Sequence, residues 1–189
     1  MSENVEKLVL INGPPQSGKS MASRFFIKAG FLKYKMTTPM DSAIQTLYGL
    51  TEDEFKVLRE EKKDQPSELL YGKTMRQVLI SLSEDWLKKF NDLPSIFGDT
   101  ACRNFVNIGM YHNRNIVIDD SGFFPEVEPI LDFFGQDNAT LIRLQRDGCS
   151  FSGDSRNYIF PDIETYEIEN NGTVKDLFSK LSEVVYDRS

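Results

Sequence analysis

Short apolar runs alternate with segments of helical periodicity along this chain. The runs are rich in Val, Ile and Leu, which predicts buried strands of a parallel sheet. Between them, apolar residues recur at helical spacing, and several segments open with Pro or Thr and end before Gly, which predicts helices. Strands that alternate with helices indicate an α/β fold with a mainly parallel central sheet. The predicted strands are 7–12, 31–36, 115–120, 139–144 and 165–168, and the predicted helices are 20–29, 39–48, 52 into the charged segment 59–64, 74–90, 100–110, 125–134 and 173–186.

The length of 189 residues and the hydrophobic content of 40% provide for one sizeable core, which predicts a single domain over residues 1–189. No stretch approaches the roughly 18 apolar residues of a membrane span. The acidic N-terminus also lacks the apolar stretch of a signal peptide. We therefore expect a soluble protein of the cytoplasm, or of the host cytoplasm if a phage encodes it, with no membrane association.

The numbers of cysteines and histidines and the net charge argue against two kinds of binding site. Two cysteines outside any Cys-x-x-Cys pair, together with one histidine, are too few soft ligands for a structural zinc ion. The net charge of -7 disfavours a long nucleic-acid footprint, because such binding depends on neutralising phosphates. A local basic groove is still compatible with this charge.

Residues 13–20 form a phosphate-binding motif directly after the first predicted strand and before the first predicted helix. In such a loop, backbone N–H groups and the helix dipole surround a nucleotide phosphate. Lys19 is expected to reach the β- and γ-phosphates of ATP, and the Ser20 hydroxyl is expected to bind Mg²⁺. The motif therefore predicts an ATP-dependent kinase. The predicted ATP-binding residues are Gly13, Pro14, Pro15, Gln16, Ser17, Gly18, Lys19 and Ser20.

Asp119 and Asp120 follow an apolar strand at its carboxyl end, where open α/β sheets place their ligands. One carboxylate, assigned here to Asp119, is expected to orient Mg²⁺ or its water. The other, Asp120, is a candidate for meeting the acceptor or taking its proton. A pair of aspartates that caps the next helix is the alternative interpretation.

Nearly the whole chain resembles the deoxynucleoside monophosphate kinases of tailed bacteriophages, which implies a three-layer P-loop nucleoside-monophosphate-kinase-like fold. The likeness depends on the order and spacing of several segments. They are residues 13–20, 76–82, 118–120 with Glu126 downstream, 146–148 and 170–178.

The resemblance implies roles for residues outside the loop. A helical region at about 37–110 would bind the acceptor, with Arg76 on its helix meeting it. A lid at about 146–161 would place Arg146 and Arg156 over ATP, where guanidinium groups suit phosphate oxygens. Asn171 would lie near the adenine. The resemblance also allows a homodimer.

Two departures from the family's pattern bear on the acceptor. The usual Asp-x-Arg reads Asp120-Ser121-Gly122 here, so an arginine that could hold an acceptor phosphate is missing, and Ile80 stands where Gln is common. A hydroxyl acceptor gains more from a carboxylate base than a phosphate acceptor does. Asp41 and Asp120 are the candidate bases, although Asp41 also reads as an ordinary acid in the first turn of a helix.

A deoxynucleoside monophosphate is the leading predicted acceptor, and three alternatives stay open. One is the hydroxymethyl group of 5-hydroxymethyl-deoxyuridine in phage DNA, with Phe123 and the neighbouring aromatics Phe124, Tyr111 and Tyr158 stacking on the base. Aromatic residues at such positions are also common in cores. The others are a non-catalytic nucleotide-binding regulator and an ATPase without an acceptor.

Overall fold

A computed structural model describes residues 7–109, 111–112 and 114–186, so predictions that involve residues 1–6 or Met110 lie outside it. Within it, five parallel strands form one sheet in the order second, fifth, first, sixth, seventh. This topology confirms the predicted α/β fold with a parallel central sheet. The strands are β1 (Leu8–Asn12), β2 (Leu32–Tyr34), β5 (Ile116–Ile118), β6 (Ala139–Gln145) and β7 (Glu164–Glu169), and a separate antiparallel hairpin pairs β3 (Pro66–Ser67) with β4 (Lys73–Thr74).

Helices occupy most of the connections between the strands. Their predicted start signals are confirmed where Thr51 and Glu54 form a reciprocal capping box, since Glu54 N donates to Thr51 Oγ1 and Thr51 N to Glu54 Oε2. The helices are α1 (Lys19–Lys28), α2 (Thr38–Leu47), α3 (Glu52–Lys56), α4 (Met75–Ile80), α5 (Lys89–Asn91), α6 (Ile96–Asn107), α7 (Phe124–Phe134) and α8 (Val174–Tyr186), with π-helical segments at Val57–Glu61 and Ser81–Lys88 and 3₁₀ turns at Glu68–Leu70 and Gln136–Asn138.

Three predicted helices differ from the structure. The helix predicted from residue 52 into the segment 59–64 becomes π-helical at Val57–Glu61. The helix predicted over 74–90 is divided by the π-helical segment Ser81–Lys88. The helix predicted to start at residue 100 starts at Ile96, and Gly98 lies inside it. Gly98 looks like a helix breaker in the sequence, but it is buried where a Cβ would overlap the Glu126 carbonyl oxygen of α7. Close helix packing, which no local pattern records, explains this glycine.

The central sheet is covered by helices on both faces. Val9 and Ile11 of β1 pack with Ala22 and Phe26 of α1 in a core that also contains Leu177 and Leu181 of α8. Successive side chains of a strand point to opposite faces. On the other face, Tyr34 of β2 contacts Phe105 of α6, which in turn contacts Phe134 of α7. The predicted three-layer arrangement is therefore observed.

The chain divides into two compact units. One comprises the described residues up to Met36 together with those from Phe97 onward, and the other is Thr37–Ile96. The second unit falls within the region 37–110 predicted to bind the acceptor, and that role is still a prediction. No helix in the described part of the chain is long and apolar enough to span a membrane.

Candidate functional site

The candidate site lies at the carboxyl ends of the parallel strands. Since β1, β5, β6 and β7 run in one direction, the segments that follow them emerge at the same edge of the sheet. These segments are the 13–20 loop, residues 119–122, the segment from Arg146, and Asn170 with Asn171. The fold thus brings the predicted residues of the first unit to one edge.

The 13–20 loop has a tight backbone held against the strand edge. Gly18 has φ 101° and Gln16 has φ 65°, both in the left-handed region. A Cβ at Gly18 would overlap the amide nitrogen of Asn170, a buried residue. Asn170 Nδ2 donates to Ser17 O over 2.8 Å, and its backbone N–H donates to Gln145 O over 2.8 Å. Asn170, which is not among the predicted site residues, therefore ties the loop to the end of β6.

The start of α1 is suited to an anion. No side chain caps this helix at Gly18, and its first turn carries no acidic residue. Its N-terminal N–H groups and dipole therefore meet no competing carboxylate from that turn. Ser17 Oγ is buried without a hydrogen-bond partner among the described residues, and a buried polar atom of this kind calls for an unseen partner. These features fit a nucleotide phosphate, as the sequence predicts for ATP.

Lys19 lies over the loop that precedes it. Its Nζ donates to Gly13 O and to Pro14 O, each over 2.6 Å. Burial is the main cause that lowers the pKa of Lys19 to about 8, and the positive charge of Arg156 lowers it further. Asp119 and Asp154 act in the opposite direction. The nearby carboxylates therefore do not fully offset the cost of burying the charged ammonium group at the loop.

Asp119 is buried directly after β5 and already has two partners. Ser23 Oγ of α1 donates to Asp119 Oδ2 over 2.8 Å, and Lys33 Nζ of β2 forms an ion pair with the same oxygen. Lys33 is not among the predicted site residues. This arrangement joins β2, β5 and α1 through one carboxylate.

The predicted Mg²⁺ ligands can be compared with the preferences of the ion. Mg²⁺ usually takes one or two carboxylates or hydroxyls and completes its shell with phosphate oxygens and water. Ser20 is exposed in the first turn of α1, and Ser23 Oγ lies within hydrogen-bond distance of both Ser20 O and Asp119 Oδ2, with the shorter distance to Asp119. No cluster of three His, Cys, Asp or Glu residues that could hold a metal occurs in the described part of the chain. The donor set fits an ion that depends on the phosphates of the nucleotide.

Asp120 is half-buried at the edge of a small cavity. Its Oδ1 accepts a hydrogen bond from Met36 N over 3.3 Å. Besides Asp120, the cavity is lined by Lys19 and Arg156 and by Ile11, Asn12, Gly13, Ser121 and Gly122. Asp120 therefore lies next to the loop lysine, as a residue that meets the transferred group would. Its role as a base stays a prediction.

The predicted lid residues Arg146 and Arg156 have different surroundings. Arg146 is exposed, and its Nη1 lies 3.5 Å from Gln16 O of the loop. Arg156 is mostly buried and forms a bidentate ion pair with Asp154. Both arginines lie beside the 13–20 loop, and their predicted roles toward ATP are still proposals. Asn171 is exposed and accepts from Asp147 N over 2.9 Å.

The second unit contains the other predicted acceptor residues. Asp41 in the first turn of α2 pairs with Arg59 over 3.0 Å, and both side chains are largely buried. Arg59 of the charged segment 59–64 is therefore not a solvated charge, because it is largely buried and paired with Asp41. Arg76 is nearly half exposed and forms an ion pair with Asp64. Asp41 therefore has a basic partner within this unit, and Arg76 has an acidic one.

The aromatic residues considered for base stacking divide into two groups. Tyr111 contacts Tyr34 and Phe105, and Tyr158 packs edge-on against Phe151 while its hydroxyl donates to Leu144 O over 3.1 Å. Both side chains are half-buried and packed against other rings. Phe123 is also half-buried, whereas Phe124 is exposed by 39%.

Some site residues outside the 13–20 motif could have been noticed in the sequence as polar residues at the end of, or inside, an apolar run. Asn12 closes the run of β1 and is almost fully buried, and Lys33 stands inside the short strand β2. A buried polar group needs a hydrogen-bond partner. The sequence marks such residues as unusual but does not identify their partners.

No family model matches this chain. One curated relative is a protein of Acanthamoeba polyphaga mimivirus described as "Putative deoxynucleotide monophosphate kinase". It is 25% identical over 193 residues, and the match covers 96% of this chain and 97% of the relative. The likeness therefore extends over nearly the full length of both proteins.

Solved structures of similar shape include a shikimate kinase from Aquifex aeolicus, at 10% identity and a TM-score of 0.46 over 96% of this chain and 97% of the other. A gluconokinase from Sinorhizobium meliloti matches at 10% identity and a TM-score of 0.44 over 99% of each chain. At these scores they carry no inference about function. The mimivirus relative confirms the predicted resemblance to deoxynucleoside monophosphate kinases, while a specific link to bacteriophages stays a prediction.

Proposed function

We propose that this chain is an ATP-dependent kinase that transfers the γ-phosphate of ATP to a deoxynucleoside monophosphate. The observation that carries the proposal is the 13–20 loop at the strand edge, with Lys19 and Arg156 lining one small cavity beside it. The full-length likeness to the mimivirus protein supports the same substrate class.

In this proposal, the loop residues hold the donor and the arginines hold the transferred group. Lys19 exchanges the carbonyl oxygens of Gly13 and Pro14 for phosphate oxygens when a nucleotide binds. Arg146 and Arg156 offset negative charge that builds up during transfer. Ser20 and Asp119 would hold Mg²⁺, which neutralises phosphate charge when bound.

The acceptor residues are proposed individually. Asp120 would contact the acceptor beside the transferred phosphate. Arg76 and Asp41 would bind the acceptor, with Arg59 as the ion-pair partner of Asp41. Phe123 would pack against the acceptor base and Asn171 against the adenine. A monophosphate acceptor needs mainly positive charge to hold it, since it is already a nucleophile.

The modified-DNA acceptor has less support than the free nucleotide. Its basis was the absence of an arginine at position 122 and the presence of aromatic residues for stacking. Arg156 lies against Gly122, so an arginine is available at that place, and Tyr111 and Tyr158 are already packed against other aromatic rings. We therefore keep this acceptor as an outcome of the test.

The test is transfer of label from γ-labelled ATP, with Mg²⁺, to separate acceptors. The acceptors are each of the four deoxynucleoside monophosphates, plain DNA and DNA containing 5-hydroxymethyluracil, with the Lys19→Ala variant as the control. Label on one or more free monophosphates, absent in the variant, is the expected result. Label only on the modified DNA would reject the proposed acceptor, and binding of ATP without transfer to any acceptor would favour a regulator. ATP hydrolysis that no acceptor changes would indicate an ATPase.

A further inference from the structure

Gly122 is in unusually close contact with the side chain of Arg156. A Cβ at position 122 would lie 2.6 Å from both Cγ and Cδ of Arg156 and 2.7 Å from its Cβ. Real Cβ atoms do not come this near to other heavy atoms. The φ angle of Gly122 is not positive, so its backbone conformation is open to other residues. Glycine is therefore required here by the space that Arg156 occupies.

Asp154 fixes the orientation of the Arg156 guanidinium. Arg156 Nε donates to Asp154 Oδ1 over 2.9 Å and Nη2 donates to Oδ2 over 2.6 Å, and the backbone N–H of Arg156 donates to Oδ1 over 3.0 Å. The Asp154 side chain is only 9% exposed. Two parallel hydrogen bonds hold the plane of a guanidinium, so the direction of this group is set before any ligand binds.

Asn12 attaches the backbone around Arg156 to the central strand. Its Nδ2 donates to Ser121 O over 2.8 Å and to Asn157 O over 3.1 Å, while its Oδ1 accepts from Ile159 N over 3.3 Å. Asn157 N also donates to Gly122 O over 3.2 Å. The segment 154–159, which belongs to the predicted lid, is thus hydrogen-bonded to the strand that leads into the phosphate-binding loop.

We propose that Gly122, Asp154 and Asn12 are positioning residues that hold Arg156 beside Lys19 as a standing part of the phosphate site, with the terminal phosphate of the donor nucleotide as its ligand. Lys19 and Arg156 both line the narrow gap beside the loop, which Asp120 also lines, so their donors lie close enough together to serve one anion with several oxygens. The proposal deepens the proposed function and rests on it. It adds to the predicted lid role the residues that hold Arg156 in place before a ligand binds.

Nucleotide binding to the Gly122→Ala variant tests the placement. The added methyl group must displace Arg156, so we expect ATP affinity to fall about 10- to 100-fold, the range for a charge-assisted hydrogen-bond pair. ADP lacks the terminal phosphate and should bind as before. Calorimetric titrations of both nucleotides with Mg²⁺ measure this difference. Gly109→Ala is the matched control, because a Cβ at Gly109 meets no atom within 4 Å and its φ is not positive.

Equal ATP affinity in Gly122→Ala and Gly109→Ala, or equal losses for ATP and ADP, would overturn the proposal. If Gly122→Ala does not fold, Asp154→Asn replaces it. Its amide retains the shape of the carboxylate but loses the charge that orients the guanidinium, so the same selective loss of ATP affinity is expected and its absence would overturn the proposal.

An exchange of side chains gives a second, independent test. In Gly122→Arg combined with Arg156→Gly, the new side chain starts where the old one lay, and its guanidinium can enter the vacated space. We expect the double variant to prefer ATP over ADP more strongly than Arg156→Gly alone. If it does not, the two positions do not share one space and the proposal fails.

The binding tests need neither an acceptor nor turnover. ATP-selective binding that depends on Gly122, together with no transfer to any acceptor, would reject the kinase but keep the placement of Arg156. Normal transfer to a monophosphate by Gly122→Ala, with ATP affinity unchanged, would keep the kinase but reject the placement.

Discussion

Lys19 is the residue on which the proposed activity depends most directly. Its ammonium group donates hydrogen bonds to two carbonyl oxygens of the loop, Gly13 O and Pro14 O. Replacing it with Ala should leave the core intact, since the side chain is directed at the ligand site. We expect Lys19→Ala to lower the rate of phosphoryl transfer by about 100- to 1,000-fold or more, the effect of losing one preorganised donor. Steady-state rates and a circular-dichroism melt measure the two effects, and an unchanged rate would contradict the kinase assignment.

Lys33 should stabilise the fold through Asp119. Lys33→Met removes the positive charge beside Asp119, whose side chain is only 7% exposed. Asp119 then keeps the neutral hydroxyl of Ser23 as a hydrogen-bond donor. Removing one partner of a fully buried pair costs about 3–5 kcal/mol, and Lys33 is one-third exposed, so solvent screening reduces the expected loss to about 1–2 kcal/mol. Urea denaturation measures the free energy of unfolding.

A double variant separates the ion pair from the packing of Lys33. Asp119→Asn removes the charge that Lys33 compensates, so Lys33→Met should cost much less in that background than alone. Equal costs in the two backgrounds would show that the pair contributes nothing to stability.

Residues of local motifs could be predicted from the sequence, and residues with distant partners could not. Gly13 to Ser20 and the Thr51 cap follow from spacing alone, because their partners lie within a few positions. Asn12 contacts residues more than a hundred positions away, and only the topology brings them together. The pairing of Asp41 with Arg59 is likewise a property of the folded unit, although both residues were visible as charges.

At the scale of whole elements, the contact between α6 and α7 depends on Gly98. The Cβ that Ala would add overlaps Glu126 O and lies 2.7 Å from Pro129 Cγ, and neither a carbonyl oxygen nor a proline ring can move freely. We expect Gly98→Ala to destabilise the protein by about 1–3 kcal/mol or more, as overpacking does. Thermal denaturation measures the loss, and Gly109→Ala, which meets open space, should melt like the wild type. A Gly98→Ala protein as stable as that control would contradict this account of the packing.

Hydrophobic periodicity predicts the order and type of the main helices and strands, but it does not show where a helix changes its hydrogen-bonding pattern. All five strands of the sheet lie within one or two residues of their predicted bounds. The π-helical segment Ser81–Lys88 carries the same apolar spacing as an α-helix, so periodicity could not distinguish the two. The two-residue strands β3 and β4 are too short to produce a pattern.

For the whole molecule, nucleotide binding should raise the melting temperature. A ligand that binds only the folded state at 100 times its Kd adds about 2.7 kcal/mol of stability, which corresponds to about 5–10 °C for a chain of this size. We expect this shift with ATP and Mg²⁺ but not with adenosine, which has no phosphate for the 13–20 loop. Differential scanning fluorimetry measures it, and an equal shift with adenosine would place the affinity in the base contacts.

The sheet order has a consequence for how the protein is made on the ribosome. β1 leads into the phosphate-binding loop, yet Leu8 pairs with Ile116 on one side and with Ala139 on the other. A growing chain therefore carries a complete nucleotide motif long before either neighbouring strand has been synthesised. Contacts between such distant segments also form slowly. Nascent chains that end before β5 should fail to bind ATP, because the phosphate-binding loop becomes functional only after the strands on both sides of β1 have been made.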